Sequence, residues 1–424
     1  MRFATLAEWL VWQETLHPRT IDLGLDRVRA VYRRLAGQGV RHFTITVGGT
    51  NGKGSCVAYL DAILRAQGYR VGTYTSPHLL RYNERIRIQG VPLGDEEICS
   101  AFTRVDQARG DTTLSFFEFG TLAALDLFGR APLDVQILEV GLGGRLDAVN
   151  IVDADAVLIG SIALDHQDWL GESRESIGFE KAGVFRRSRP AVVVDPDPPA
   201  SLVRHALDLP ADLARSGTDF AYAMTPGAWN WRGRSARHDN LPLPALAGAH
   251  QVQNAAGALA LLERIADRWP VDEASIRRGL SQVELDGRFQ VLPGDVPIVL
   301  DVAHNPQAAG VLAGMLRERF AGRPVHAVFA LMRDKDAVGV AGQFEGLVRR
   351  WYLPPLAMSR AAAPDVLAET LRSLGSEGVE WSFSNVAEAV AAASANARRG
   401  EIIVVFGSFF LVAEFLARRA AQPG

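Results

Sequence analysis

The chain has 424 residues, 48% of them hydrophobic and 22% charged, with a formal net charge of −3. Such a composition belongs to a globular protein longer than one ordinary core, so two to three domains are expected, with no basic face for nucleic acid. Two cysteines without metal-type spacing, Cys56 and Cys99, exclude a disulfide or zinc framework and point to a reducing compartment.

Met1 to Leu16 lacks a basic run followed by an apolar one, and no stretch reaches about 18 uninterrupted apolar residues. The expectation is a cytoplasmic monomer that acts on small molecules, away from membranes. Thr5 to Leu16 reads as an amphipathic helix with Leu6, Trp9, Leu10 and Leu16 on its core face. A loop from Leu16 to Gly24 leads into a helix from about Asp26 to Ala36. Phe43 to Val47 is apolar and β-branched, a buried strand. Gly48, Gly49, Gly52 and Gly54 follow, and from Ser55 the residues Ala58, Leu60, Ala62, Ile63 and Leu64 fit a helix face.

Strand, glycine loop and helix form the context of a phosphate-binding loop: amides and the helix start face the anion, Lys53 reaches the outer phosphates and Ser55 offers a hydroxyl to Mg2+. The strict pattern G-x-x-x-x-G-K-[ST] is not met, because Val47 stands at its first glycine and Gly54 is inserted before Ser55. A second strand, Val71 to Thr75, ends in Ser76-Pro-His78, with Asn83-Glu-Arg-Ile86 on an extended segment. Ser76 lies where open α/β sheets place ligand groups, and reads equally as a metal ligand or as a cap before Pro77.

Phe116 to Leu127 is helical. Asp134 to Val140 is a strand that carries Glu139 near its carboxyl end, where a buried carboxylate is costly unless it binds metal or pairs with a cation such as Arg145. Ala156 to Ile162 is a further strand, leading to Asp165, His166 and Asp168. Read alone, His166 is a satisfied structural histidine and Lys181, on a helix with Ile177, a solvated surface lysine. Trp229 and Trp231 mark a small strand-rich insert. Helices follow from Gln253 to Trp269 and Asp272 to Gln282, and a domain boundary falls near residues 284 to 290. Beyond it βα units resume: strands Pro297–Val302, Val325–Leu331 and Ile402–Phe406, with helices at Gln307–Phe320, Ala363–Leu374, Val386–Arg398 and Phe409–Arg419. The fold class is α/β: a phosphate-loop domain with an open, mostly parallel sheet over 1–286, and a smaller Rossmann-like domain over 287–424. The Arg33-Arg34, Arg349-Arg350, Arg398-Arg399 and Arg418-Arg419 pairs read as helix-end charges.

The ordered series Gly49-Thr-Asn-Gly-Lys-Gly-Ser55, Ser76-Pro-His78, Glu139-Val-Gly-Leu-Gly-Gly-Arg-Leu-Asp147, Leu164-Asp-His166, Glu180-Lys-Ala-Gly183, Gly287-Arg-Phe289, Asp301-Val-Ala-His-Asn-Pro306 and Gly407-Ser408 resembles the folylpolyglutamate synthase/dihydrofolate synthase branch of the Mur ligase superfamily. That branch carries the inserted glycine found here as Gly54.

The resemblance implies an ATP-dependent amide ligase that adds L-glutamate to dihydropteroate and to reduced folates through an acyl phosphate. It implies that Thr50, Asn51, Gly52, Lys53, Gly54 and Ser55 hold the phosphates, with Asn254, Arg288 and Asp301 also on the nucleotide. Ser76, Glu139 and His166 would ligate two Mg2+ ions, and Lys181 would carry an N-carboxylated side chain. The catalytic set is thus Lys53, Lys181, His166 and Glu139. Thr20, Ile21, Asp22 and Leu23, then Ser115, Phe116, Phe117 and Glu118, then Leu146, Asp147 and Ala148, resemble a dihydropteroate pocket, and His304 a further substrate contact. Two positions depart from the pattern: Val149 and Gly160 stand where threonine is usual.

A peptidoglycan-precursor Mur ligase would carry a domain for the UDP-sugar before its phosphate loop, and only Met1 to Val47 precede Gly48 here. A nucleotide-binding regulator would not need the Glu139, His166 and Lys181 set.

Overall fold

The computed structural model describes residues 2–35 and 42–421, which form two compact units, Met1–Ala245 with Gln251–Glu284 and Leu246–His250 with Leu285–Gly424. The first unit is built on an eight-stranded sheet of β1 (Phe43–Gly48), β2 (Val71–Tyr74), β3 (Ile86–Ile88), β4 (Val91–Pro92), β5 (Val135–Glu139), β6 (Ala156–Ile159), β7 (Pro190–Val193) and β8 (Asp212–Arg215). Their order is β4-β3-β2-β5-β1-β6-β7-β8. Only β3 and β4, at one edge, pair antiparallel. Every residue of β1, β2, β5 and β6 is buried, as expected of parallel strands covered on both faces.

Register brings Val47 opposite both Glu139 and Leu158, and Tyr74 opposite Leu138. The carboxyl ends of β2, β5, β1 and β6 therefore lie side by side. The helix Lys53–Gln67 leaves β1 and packs closely on the helix Glu273–Gln282: a Cβ on Gly279 would stand 2.6 Å from Ile63. Helices Leu6–Thr15, Asp26–Leu35, Asp95–Arg109 and Phe116–Arg130 share an apolar cluster centred on Trp9, Phe102 and Phe119. Strands β9 (Ala221–Thr225), β10 (Ala228–Arg232) and β11 (Arg237–Pro242) form the small antiparallel insert, with Trp229 and Trp231 buried in it.

The second unit carries β12 (Gln290–Leu292), β13 (Ile298–Asp301), β14 (Val325–Phe329), β15 (Val348–Tyr352), β16 (Val379–Glu380) and β17 (Ile402–Phe406) in the order β12-β13-β17-β14-β15-β16, with only β12 antiparallel. Among the described residues no helix is long and apolar enough to cross a membrane.

Several local expectations are corrected. Residues Tyr82–Arg85 form a 3-10 turn and only Ile86 onward is extended, because the Glu84 carboxylate draws in the amides of Leu79, Leu80 and Arg81. Gln13 is buried with Leu6 and Trp9, whereas Leu10 and Leu16, expected on the core face, are partly buried at the cluster's rim. Arg349 and Arg350 lie on β15, paired with Glu401 and Glu380, and not at a helix end. The helix holding Asn254 begins earlier, at Ala249. Ala36, at the expected end of the second helix, lies outside the described residues.

Candidate active site

The turn after β1 is shaped by close backbone approach. Gly49 has φ +132°, and a Cβ there would meet Gly160 backbone at 3.0 Å; Gly52 has φ +84°, and a Cβ there would meet Asn254 Oδ1 at 2.7 Å. Both positions demand glycine. Thr50 and Asn51 donate their amides to Ser161 O at 2.8 and 3.2 Å, and the Thr50 hydroxyl bonds Ala163 O at 3.1 Å. The loop is thus stitched to the chain that leaves β6. With those two amides committed, the remaining residues of the expected set, Gly52, Lys53, Gly54 and Ser55, lie at the start of the helix Lys53–Gln67, where N–H groups and the helix dipole favour negative charge.

The Lys53 amine donates to Gly49 O at 3.2 Å and Thr50 O at 3.1 Å, folded back over the loop. Lys181, on the helix Arg174–Ala182, is buried and donates to the same Gly49 O at 2.9 Å. The surface-lysine reading is therefore wrong: the amine turns inward. Burial, and then the Lys53 charge, push its pKa down to about 7, while Asp165 and Asp147 pull it back up. Gly144 lets the loop after β5 lie against the Lys181 backbone, since a Cβ there would stand 3.0 Å from Glu180 O and 3.1 Å from Lys181 O.

Glu139 ends β5, buried, and its Oε2 accepts from the Ser76 amide at 3.1 Å. Arg145, the cation weighed as its partner, engages Glu180 instead, at 2.8 Å. His166 adopts φ +52°, and its amide donates to Asp165 Oδ1 at 2.8 Å. Among the described residues no three His, Cys, Asp or Glu side chains gather as a metal cage. The expected ligands combine instead a hydroxyl, a carboxylate and an imidazole. The hydroxyl and the carboxylate are oxygen donors of the kind Mg2+ takes together with waters and substrate phosphates, whereas the imidazole is a softer nitrogen donor.

The three segments of the expected acceptor pocket meet in this unit. Phe117 packs on the loop after β5, its ring 2.6 Å from where a Gly141 Cβ would be. Ser115 caps the helix Phe116–Arg130, its amide bonded to Glu118 Oε2 at 2.8 Å. Asp147 accepts from the amides of Leu142 and Val149 at 2.9 and 3.0 Å, and burial raises its carboxyl to about 6. Ala148 joins the cluster of Phe119, with Phe116 and Phe117 packed against it. Leu146 is half-buried beside them. Thr20, Ile21, Asp22 and Leu23 lie on the loop before Asp26, tied to Glu118 by Arg27, which donates to Asp22 Oδ2 at 2.7 Å and Glu118 Oε1 at 3.1 Å. Arg27 and His17 were missed by the sequence reading; the signal was a guanidinium and an imidazole flanking an aspartate in a loop with little else to hold it.

In the second unit Asp301 accepts from the amides of Phe289 and Ala303 at 2.9 and 2.8 Å, and burial raises its pKa while Arg288 opposes the rise. Arg288 lies 5.1 Å from the Phe409 ring, and His304 bonds Val302 O at 2.9 Å. Arg288, Asp301 and His304 are therefore neighbours. Asn254 belongs to the first unit, against Gly52.

Residues 287–409 match the family model for the Mur ligase, glutamate ligase domain. Across the whole chain there is 45% identity to the dihydrofolate synthase/folylpolyglutamate synthase of Escherichia coli (strain K12), over 97% of this chain and 94% of that one. The chain belongs to the dihydrofolate synthase/folylpolyglutamate synthase family. The fold agrees with that family: the E. coli FolC structure in complex with DHPP and ADP superposes with a TM-score of 0.93 at 44% identity, over 99% of this chain and 98% of that one. A bifunctional family member solved with Mn, AMPPNP and L-glutamate bound gives 0.91 at 45% identity, covering 98% of each chain. The expected α/β class, with a phosphate-loop unit and a second Rossmann-like unit, is the fold found.

Proposed function

We propose that this chain is an ATP-dependent amide ligase that adds L-glutamate to dihydropteroate, giving dihydrofolate, and to reduced folates, giving polyglutamates. The observation that carries this reading is the inward pair Lys53 and Lys181 beside Glu139, at the carboxyl edge of a sheet whose neighbouring loops hold the acceptor-type residues. Residues 1–286 would bind ATP and acceptor and residues 287–424 would serve glutamate ligation, in a protein that acts as a monomer.

An acceptor carboxylate oxygen attacks the γ-phosphorus of ATP, the bond to the β-phosphate oxygen breaks, and ADP leaves. The glutamate amine then attacks the acyl carbon, loses a proton, and inorganic phosphate departs. Lys53 and the helix start offset charge on the transferring phosphoryl group, where positioning and electrostatics supply most of the rate. Ser76, Glu139 and His166 would hold two Mg2+ ions, which neutralise phosphate charge when bound. N-carboxylation of Lys181 needs a neutral amine, and an amine pushed down to about 7 provides one near neutrality. Asn254, Arg288 and Asp301 are proposed nucleotide contacts, and His304 a contact to the incoming amino acid.

The test is ADP release by purified protein with Mg·ATP and L-glutamate, comparing dihydropteroate, tetrahydrofolate and no acceptor. Glutamate-dependent release with both acceptors is the expected result. Release with one alone would narrow the function to a single synthase, and release with neither would overturn it.

A further inference from the structure

The loop from Leu16 to Gly24 has no regular secondary structure, so side-chain bonds must fix its shape. Two crosslinks do so. His17, on its ring nitrogens, bonds Asp22 Oδ2 at 3.0 Å and Thr113 Oγ1 at 2.9 Å. Arg27 donates through Nη1 to Asp22 Oδ2 at 2.7 Å and through Nη2 to Asp22 O at 3.0 Å and Glu118 Oε1 at 3.1 Å. The Glu118 carboxylate is buried, with its second oxygen on the Ser115 amide. One guanidinium thus joins the loop to the first turn of the helix Phe116–Arg130. Charge-assisted bonds of this kind are strong and directional, and removing the cation strands a buried carboxylate.

We propose that Arg27 is a positioning residue for the acceptor: it holds Thr20 to Leu23 against Ser115 to Glu118, and so sets the pocket that takes the pterin-bearing substrate. Asp22 and Glu118 then serve as the anchors of the wall. The inference rests on the ligase reading for the identity of that acceptor, but the clamp itself does not.

The experiment compares wild type, Arg27→Met, Arg27→Lys and Asp22→Asn in steady-state kinetics and in amide hydrogen exchange. Arg27→Met should raise KM for dihydropteroate by about tenfold and leave KM for ATP within about twofold, with Arg27→Lys recovering part of the loss. Exchange should quicken in residues 16–24 and stay unchanged in β1. An unmoved acceptor KM, or an equal rise in both KM values, overturns the proposal. If Arg27→Met does not fold, Asp22→Asn, which keeps the Arg27–Glu118 pair, must show the same split. If wild type turns over neither dihydropteroate nor tetrahydrofolate, the ligase reading falls, and if it turns over tetrahydrofolate alone, KM for that acceptor is compared instead; exchange still decides the clamp, which unchanged protection of residues 16–24 in the variants would refute.

Discussion

Lys53 and Lys181 donate to one acceptor, the carbonyl oxygen of Gly49, from 3.2 and 2.9 Å. Burial of Lys181 first, and then repulsion from the Lys53 ammonium, lower its pKa to about 7 from the ordinary 10.5. Between those values the unfolded chain holds a proton that the folded chain has released, so stability rises with pH from about 7 upward. Cys56, raised by burial to about 12, opposes this once the unfolded thiol ionises near 9. Thermal midpoints in carbonate-free buffer should therefore climb between about pH 7 and 8.5, and Lys181→Met should flatten the climb. An identical slope in the variant would refute the assignment.

The same neutral amine is the one that can take up carbon dioxide. Carbon-13 bicarbonate should label wild type and leave Lys181→Met unlabelled, and the variant should lose most glutamate-dependent ADP release. A fully active Lys181→Met enzyme would remove Lys181 from the mechanism.

Gly160 explains how tightly the phosphate loop is held. A Cβ there would stand 2.5 Å from Asn51 O, a backbone atom that cannot turn aside. Gly160→Ala should push the loop outward, at a cost of about 1–3 kcal/mol, and raise KM for ATP without changing KM for the acceptor. Equal nucleotide affinity in the two proteins, measured by ADP titration, would mean that the loop tolerates the displacement.

Glu139 is a buried carboxylate at the end of β5. Glu139→Gln keeps its size and an oxygen for the Ser76 amide but removes the charge that a metal needs. Turnover should fall by about a hundredfold or more, since a metal supplies several kcal/mol of charge stabilisation, while the thermal midpoint holds or rises. Unchanged turnover across a Mg2+ titration would exclude Glu139 as a ligand.

The phosphate loop was legible in the sequence because strand, glycines and helix each carry their own local signal around residues 43–64, and Glu139 because a carboxylate closes an apolar strand. Lys181 was legible only through resemblance: beside Glu180 on a short helix it reads as surface, and only tertiary packing turns its amine inward. The Arg27 clamp escaped because it joins residues 91 positions apart in the chain. Strand β15 was missed for a simpler reason: Arg349 and Arg350 interrupt its apolar pattern, and the carboxylates that accept them, Glu401 and Glu380, are far away in the chain.

Glu401 offers a test within the second unit. Its carboxylate accepts from the Arg398 amide at 2.8 Å, meets His326 Nε2 at 3.0 Å and takes Arg349 Nη1 at 2.8 Å, while His326 reaches Tyr352 Oη at 3.1 Å. It thus ties the chain entering β17 to β14 and β15. The Arg398 amide first, and then His326 and Arg349, hold its pKa below the usual carboxylate value against a partial desolvation penalty. A carboxyl lowered on folding stabilises above its unfolded pKa, and that contribution is lost as pH falls through the folded value. Glu401→Gln should therefore lower stability at pH 7 by about 1–3 kcal/mol, with the gap between variant and wild type closing as the pH drops below 4.5, the ordinary value for this group. Denaturant titrations at neutral and acid pH read this directly; a gap that stays constant with pH would mean that shape and packing, and not the charge of Glu401, hold these strands together.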